Sequence, residues 1–564
     1  MVQLQVKVKK KGNRLDRHDR SGFSVAFPGD KVSHESSSPP FQFPGFRMPH
    51  DHDVAERIAR VRIALRDACQ DHVLSYVDAG LATPEETASL LTQIETLDLP
   101  ELNRIFNGLG IEPSASVAAA AGNDEIAPLS DLASADTTSP ALLREWEDMG
   151  LDAIGHGKVA ALVLSGGQGT RLGFDGPKGM YDIGLPSGKS IFQLLAERIL
   201  RVSALAAERF LRSPEGKDCP NEGSTRKHIP FYVMTSPLNH EKTQDFFKEN
   251  NYFGLCPADV FFFRQGTMPC FDLKGKLLLE SPTSLAQAPD GNGGIYPSLA
   301  RTGALADMRA RGIEAFHVFS VDNVLIKVAD PTFLGFCLAR KSDCGNMVVW
   351  KKAAEEKVGV MVRKNGRPAV VEYSEMDTSM TTLREAGKAG EEGKLVYGAG
   401  NICSHFLTLD FVENVVLPRF GAVYHAARKM IPALPTSFAS TSPVPVTEKV
   451  AGVKLEAFIF DVLPFSERVA LWEVRREDAF VPVKDAPGSG SDTPERARDM
   501  LSAEAVRWVG RAGGKVVGQG EGGGEEGRGG EGSEISPLVS YRGEGLGGRV
   551  GGMEVTLPIR FLDV

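Results

Sequence analysis

From Val54 onward, apolar residues recur at three- and four-residue spacing. Val54, Ile58, Val61 and Leu65 share one face, with arginines between them, and this predicts an amphipathic helix. Thr83-Pro84-Glu85-Glu86 marks a second helix start, because a threonine cap, an early proline and a capping-box glutamate satisfy the free amides of a first turn. Ser139-Pro140 marks a third, carrying Leu142, Leu143 and Trp146. With the soft Ser114–Ala121 stretch as a connection, residues 51–155 read as a helical N-terminal region. At Val159 the period changes. The unbroken apolar run Val159–Leu164 predicts a strand buried on both faces. A helix around Ile191–Leu205 follows, then strands at Ile229–Met234, Val260–Phe263 and Ala315–Val321, with a polar helix at Glu241–Glu249. Such alternation predicts an α/β fold whose sheet is mostly parallel and covered on both faces.

The ends read differently. Residues 1–50 carry the basic run Lys7–Lys11 and the linker-like Ser36–Pro40, and are expected to be a disordered tail. Residues 156–482 form the central domain and 483–564 a small C-terminal domain, loop-rich beyond Phe480, with a flexible glycine-rich loop at 518–533. The length, 564 residues, suits about three or four domain-sized units. A net charge of −9 disfavours nucleic acid or an anionic membrane as the main partner, while leaving room for a local basic pocket. The cysteines (Cys69, Cys219, Cys256, Cys270, Cys337, Cys344, Cys403) show no C-x-x-C spacing. A disulfide framework and a zinc site are therefore not expected, and a reducing, cytoplasmic setting is. No apolar run reaches the ~18 residues of a membrane span.

Chemistry concentrates after the first apolar strand. The turn Ser165-Gly166-Gly167-Gln168-Gly169 exposes backbone amides where no side chain blocks an anion. It lacks the Gly-Lys-Ser/Thr ending of a P-loop, and Leu172 stands where a dinucleotide fingerprint needs its third glycine, so a dehydrogenase is disfavoured. Arg171 and Lys178 lie beside it, and a cradle with two cations suits a ligand with several phosphates. Asp290-Gly291-Asn292-Gly293-Gly294 offers a backbone that can lie against a base or sugar ring. Asp322, at the carboxyl end of an apolar strand, is placed to hold Mg²⁺. The histidines fall in no ligand spacing and read as structural or solvated.

Leu164-x-Gly-Gly-Gln-Gly-Thr-Arg-Leu-Gly173, followed by Pro177-Lys178-Gly179-Met180-Tyr181-Asp182, resembles the eukaryotic UDP-N-acetylglucosamine pyrophosphorylases. These belong to the UDP-sugar pyrophosphorylases of the Rossmann-like nucleotide-diphospho-sugar transferase fold. The likeness continues through Gln265-Gly266, Ala288–Gly294, Val321-Asp322-Asn323, Val371–Glu375, Ala399-Gly400-Asn401, Lys454–Asp461, Arg476-Glu477-Asp478 and Glu534–Leu538. It implies that 156–482 is the catalytic domain, and that Leu164, Ser165, Gly166 and Gly167 meet UTP. Gly167 and Gln265 would contact the uracil edge and Gly291 would close over the base, while Lys178, Lys454 and Asp322 would lie at the phosphates and Asp322 at the metal. It further implies that Asn292, Gly359, Glu372 and Asn401 surround N-acetylglucosamine, and that Phe458 and Phe460, sharing one face of a strand, wall the acetyl group. Arg171, Lys178 and Lys484 are the implied catalytic cations.

Asp485 stands where the family pattern carries Asn, which puts an extra negative charge near Lys484, and Ala457 replaces a basic residue. The implied reaction joins N-acetyl-α-D-glucosamine 1-phosphate to UTP, giving UDP-N-acetylglucosamine and pyrophosphate, with Mg²⁺ as cofactor. The alternatives are the galacto epimer or glucose 1-phosphate as substrate, and a non-catalytic nucleotide-sugar-binding protein. The oligomeric state is left open.

Overall fold

Eight strands follow one path through the central sheet: β1 (Ala133–Ser134), β2 (Val159–Leu164), β3 (Phe231–Thr235), β4 (Val260–Arg264), β5 (Ala315–Ser320), β6 (Cys344–Trp350), β7 (Ala399–Thr408) and β8 (Val469–Glu473). Their order is β1-β8-β6-β7-β5-β2-β3-β4. The computed structural model describes residues 51–110, 124–214, 228–373, 375–386, 392–422, 424–435, 447–518 and 532–562. The expected tail 1–50, the Ser114–Ala121 stretch, Ser374 and residues 519–531 of the glycine-rich stretch lie outside the described residues.

β2 explains the sheet. Val159, Ala161 and Val163 enter one core cluster, while Ala160, Leu162 and Leu164 enter the cluster on the opposite face. Successive side chains of a strand point to opposite faces, so a strand covered on both sides must be apolar throughout. β2 runs parallel to β5 and β3, and β4 continues the parallel set. β7 is the exception, antiparallel to both β5 and β6. Its reversal carries its first residues, Ala399–Asn401, to the carboxyl end of β6, where Gly400 faces Val349. In open α/β sheets that is the edge at which ligands collect.

The helical expectations hold, with corrections. α1 (Asp51–Asp67), α2 (Pro84–Glu95) and α3 (Leu99–Gly108) are present, and Thr83 and Glu86 form the complete capping box. The three helices pack on Phe271, Leu277, Leu285, Val453 and Leu455, with the Phe106 and Phe271 rings 5.2 Å apart. The stretch before Gly155 is not wholly helical, because Ile126–Ala127 and β1 pair with strands from much later in the chain. α4 (Pro140–Gly155) and α5 (Ile191–Arg212) cover one face together with α6 (Pro331–Ala339). α4 and α6 cross at glycines. A Cβ on Gly150 would sit 2.0 Å from the Pro331 carbonyl oxygen, and one on Gly335 would sit 1.7 Å from that of Trp146.

Beyond Phe480 the chain is not simply loop-rich, since α7 (Pro494–Arg511) spans 18 residues. Thr493 caps it and Pro494 opens it, the same device that starts α2 and α4. Trp508 and Val509 of α7 pack with Ile535, Val539 and Leu546 in a separate cluster. Among the described residues, no helix is long and apolar enough to cross a membrane.

Candidate functional site

β2 ends at Leu164, and the chain turns sharply. Ser165 is buried; its amide and its hydroxyl both donate to the Met234 carbonyl at 2.8 Å, and its own carbonyl accepts from Asn239 Nδ2 at 3.0 Å. That residue is therefore committed to holding the turn. Gly166 lets Gln265 come close, because a Cβ there would lie 2.2 Å from Gln265 Oε1 and would push that side chain aside. Gly167 faces open space. Among the described residues, the amides of Gly166, Gly167 and Gln168 donate to no protein acceptor, which leaves an anion cradle.

Lys178 is drawn under this turn. Its amide donates to the Gly167 carbonyl at 3.2 Å, and its side chain is 11% exposed. The ammonium lies 3.8 Å from Asp322 Oδ2. Burial pushes the Lys178 ammonium below the usual lysine range, with Asp322 opposing that shift and Arg171 and Lys484 reinforcing it. Three cations, of which Arg171 is exposed, therefore gather near Asp322, with Asp492 as a second acid within electrostatic reach.

Asn323 assembles this group. Its side chain donates to the Ala479 carbonyl at 2.8 Å and accepts from the Val481 amide at 3.1 Å, while the Val483 amide donates to the Asp322 carbonyl at 2.9 Å. Those bonds lay the segment before Lys484 along the end of β5. The backbone of Lys484 and Asp485 then closes on the Asp492 carbonyl, at 2.8 and 3.0 Å, and Asp492 Oδ2 stands 3.6 Å from Lys484 Nζ. Asp492, which the sequence did not single out, is thus the acid paired with Lys484. Asp485 acts at longer range, helping burial to raise the Asp492 carboxyl.

A second group forms where β7 begins. The Asn401 amide donates to the Gly359 carbonyl at 2.8 Å, and a Cβ on Gly359 would sit 2.9 Å from Glu372 Oε1, so Gly359, Glu372 and Asn401 do meet. Asn401 Oδ1 accepts from the Cys403 amide at 3.1 Å, where Cys403 adopts φ 51°. That leaves the Asn401 amide NH₂ to donate outward. Burial pushes the Glu372 carboxyl up, with Glu375 and Asp461 adding to the shift and Lys484 and His425 opposing it. Lys484 thus joins the two groups.

Phe458 and Phe460 do not sit on a strand as expected. Phe458 precedes a 3₁₀ turn at Ile459–Phe465 whose start Asp461 caps, accepting from the Phe458 amide at 2.7 Å. The two rings nevertheless stack, 5.1 Å apart and 14° from parallel. His425 joins them, its ring 5.1 Å from Phe458 and its Nε2 3.0 Å from Asp461 Oδ2. That hydrogen bond raises the His425 pKa, so one histidine read as structural or solvated lies in the aromatic wall. A Cβ on Gly291, which has φ 85°, would sit 2.3 Å from the Ala457 carbonyl oxygen. Asn292 Oδ1 accepts from the Ile459 amide at 2.9 Å. The Gly291–Asn292 loop is laced to the aromatic wall by these contacts. Lys454 stands apart on the hairpin strand Glu448–Glu456, opposite Ala427, and its charge is felt at Cys270.

Comparison with known proteins agrees with this arrangement. The family described as UTP--glucose-1-phosphate uridylyltransferase matches residues 119–489. The chain is 43% identical over 486 residues to UDP-N-acetylglucosamine diphosphorylase 2 of Arabidopsis thaliana, covering 86% of this chain and 89% of that protein. It is 40% identical to UDP-N-acetylhexosamine pyrophosphorylase-like protein 1 of Homo sapiens, covering 88% and 96%. Among solved structures, the uridine diphosphate N-acetylglucosamine pyrophosphorylase of Trypanosoma brucei superposes with a TM-score of 0.70 at 30% identity, over 90% of this chain and 96% of that one. A glycine turn at the end of β2, a buried lysine beside Asp322, and likeness along nearly the whole chain lead to one assignment: this chain belongs to the UTP–glucose-1-phosphate uridylyltransferase family of UDP-sugar pyrophosphorylases.

Proposed function

We propose that the chain makes UDP-N-acetylglucosamine and pyrophosphate from UTP and N-acetyl-α-D-glucosamine 1-phosphate. The observation that carries this reading is the position of Lys484: the Val483–Asp322 bond lays its segment beside the Lys178–Asp322 pair, and its charge also reaches Glu372. One cation within reach of both groups is what the joining of two phosphate compounds requires. The Gly166–Gln168 amides, Lys178 and Arg171 bind the triphosphate, and Gln265 and Gly291 address the uracil. Glu372 accepts from sugar hydroxyls, the free NH₂ groups of Asn292 and Asn401 donate, and the stacked rings border the acetyl group. An oxygen of the sugar phosphate attacks the α-phosphorus in line; the new P–O bond forms as the α–β bridge breaks, and pyrophosphate leaves. The attacking phosphate is already ionised, so no side-chain base is needed. The chain's contribution is alignment and charge neutralisation.

Asp322 offers hard carboxylate oxygens at the right edge of the sheet, which fits Mg²⁺. Among the described residues no cluster of three or more potential ligands forms, so the ion would be shared between Asp322, phosphate oxygens and water. When bound it supplies charge neutralisation on the phosphates. We place the enzyme in the cytoplasm, a setting that suits the free thiols of Cys69, Cys256 and Cys270.

The test is a pyrophosphate-release assay on the purified chain with UTP and, in parallel, the 1-phosphates of N-acetylglucosamine, N-acetylgalactosamine and glucose. Fastest release with N-acetylglucosamine 1-phosphate is expected. Preference for glucose 1-phosphate would overturn the acetyl assignment, and no release with any sugar would leave only a nucleotide-sugar-binding protein.

A further inference from the structure

Asp290 has no role in the reading above, yet it lies where the Gln265-Gly266 segment, the Gly291–Asn292 loop and Ala457 come together. It is 4% exposed. Its amide donates to the Gly266 carbonyl at 3.3 Å, and its own carbonyl accepts from the Ala457 amide at 2.9 Å. Its side chain lies flush against two glycines. A Cβ on Gly266 would sit 2.3 Å from Oδ2, and one on Gly294 would sit 1.9 Å from Oδ1. Among the described residues Oδ1 has no hydrogen-bond partner.

Two groups face it. Arg301, at the end of the helix Ile295–Arg301, brings Nη1 to 3.4 Å from the Cβ position on Gly266 that Asp290 Oδ2 approaches to 2.3 Å, close to the carboxylate but without an ion pair within 4 Å. The charge of Asp290 is also felt at Tyr424, just before the hairpin strand His425–Ala433. Burial pushes the Asp290 carboxyl up to about 6. A buried carboxylate with an unpaired oxygen costs a fold stability. If packing were the only requirement, an amide of the same shape would serve better.

We propose that Asp290 is a positioning residue: its backbone ties the Gln265-Gly266 segment to Ala457 and so to the Phe458–Phe460 wall, and its carboxylate, seated between Gly266 and Gly294, sets how that junction meets the Gly291–Asn292 loop. The inference rests on the nucleotide-binding role given to Gln265 and Gly291. The ionised form is the working one, because its attraction to Arg301 draws the far end of the Ile295–Arg301 helix toward the residue that precedes the loop. Protonation near pH 6 releases that attraction.

Asp290→Asn tests this, since it keeps the shape and removes the charge. UTP affinity is measured by calorimetry near pH 8 and near pH 5, with thermal melting alongside. Near pH 8 the variant is expected to bind UTP about 10- to 100-fold more weakly, the range for a small misplacement of binding groups, while melting no lower than wild type. Near pH 5 the ratio of the two dissociation constants should approach one. Ionisation of the UTP phosphates cancels in that ratio. An affinity ratio near one at pH 8, a ratio that does not change with pH, or a lowered melting temperature would each overturn the proposal. Should D290N fail to fold, Arg301→Gln is the second arm: the midpoint of the pH dependence of UTP binding should move to higher pH, and an unmoved midpoint overturns the proposal. Wild type that binds UTP but releases no pyrophosphate would defeat the transfer reaction and leave the affinity ratio to decide on Asp290.

Discussion

Lys178→Met separates charge from packing at the centre of the site. The ammonium is 3.8 Å from Asp322 Oδ2, with the two side chains 11% and 17% exposed. At an effective dielectric constant of ~20, that attraction is worth about 4 kcal/mol. Burying an ammonium costs several kcal/mol, and burial outweighs every other influence on this group. The two effects nearly cancel in the intact pair, and methionine fills the same length, but it leaves the part-buried Asp322 without its nearest cation. The variant should therefore stay folded and melt below wild type. Activity should respond very differently. Loss of one preorganised charge from a site of developing negative charge lowers turnover by ~100-fold or more, about 2.7 kcal/mol of barrier. Pyrophosphate release at saturating UTP and sugar phosphate measures this, with circular dichroism melting as the control. The direction of the pKa shift adds a second readout. An ammonium held below the ordinary lysine range loses its proton at lower pH, so the wild-type rate should fall on the alkaline side before a normal lysine titrates. The residual rate of K178M should lack that limb. Near-wild-type release by folded K178M would refute the reasoning, as would a melting collapse.

The aromatic wall, the helix crossing and the metal each give a further expectation. Phe458→Ala removes half of the stacked pair and should cut the preference for N-acetylglucosamine 1-phosphate over glucose 1-phosphate by about tenfold, with KM for UTP unchanged; parallel kinetics on the two sugars will tell. Gly335→Ala forces a methyl toward the Trp146 carbonyl and should cost about 1–3 kcal/mol or more, read as a lower denaturant midpoint. Chelation of divalent cations should abolish pyrophosphate release and Mg²⁺ restore it, with melting of the nucleotide-free protein unmoved.

What could be read from the chain follows the range of the forces involved. The Val159–Leu164 strand and the caps at Thr83 and Ser139 are set by neighbours a few residues apart, and each is found in place. The turn at Ser165 is marked locally by its glycines but held from a distance by Met234 and Asn239. α7 carried the same Thr-Pro-Glu signal at Thr493, but it was masked by the surrounding Gly, Ser and Asp residues of 485–492. The direction of β7 has no local signature, because pairing with β5 and β6 is decided by residues 49 to 93 positions away. Asp492 reaches Lys484 only through a reversal of the chain, and His425 reaches Asp461 only across a hairpin. For Phe458 and Phe460, the i, i+2 spacing suggested a strand, whereas the Asp461 carboxylate, capping the Phe458 amide, winds the segment into a 3₁₀ turn. Lys454 was placed by resemblance alone, and no contact in the structure joins it to Lys178 or Asp322.

The clasp that Asn323 makes on Ala479 and Val481 has a consequence for how the protein is made. A growing chain that has emerged as far as the end of α6 already holds the cradle, Lys178 and Asp322. It has no Lys484, which arrives about 150 residues later. The two parts of the cation cluster therefore meet only once synthesis has passed Val483, and a chain terminated before Phe480 would lack both the clasp and the lysine that the clasp carries into the site.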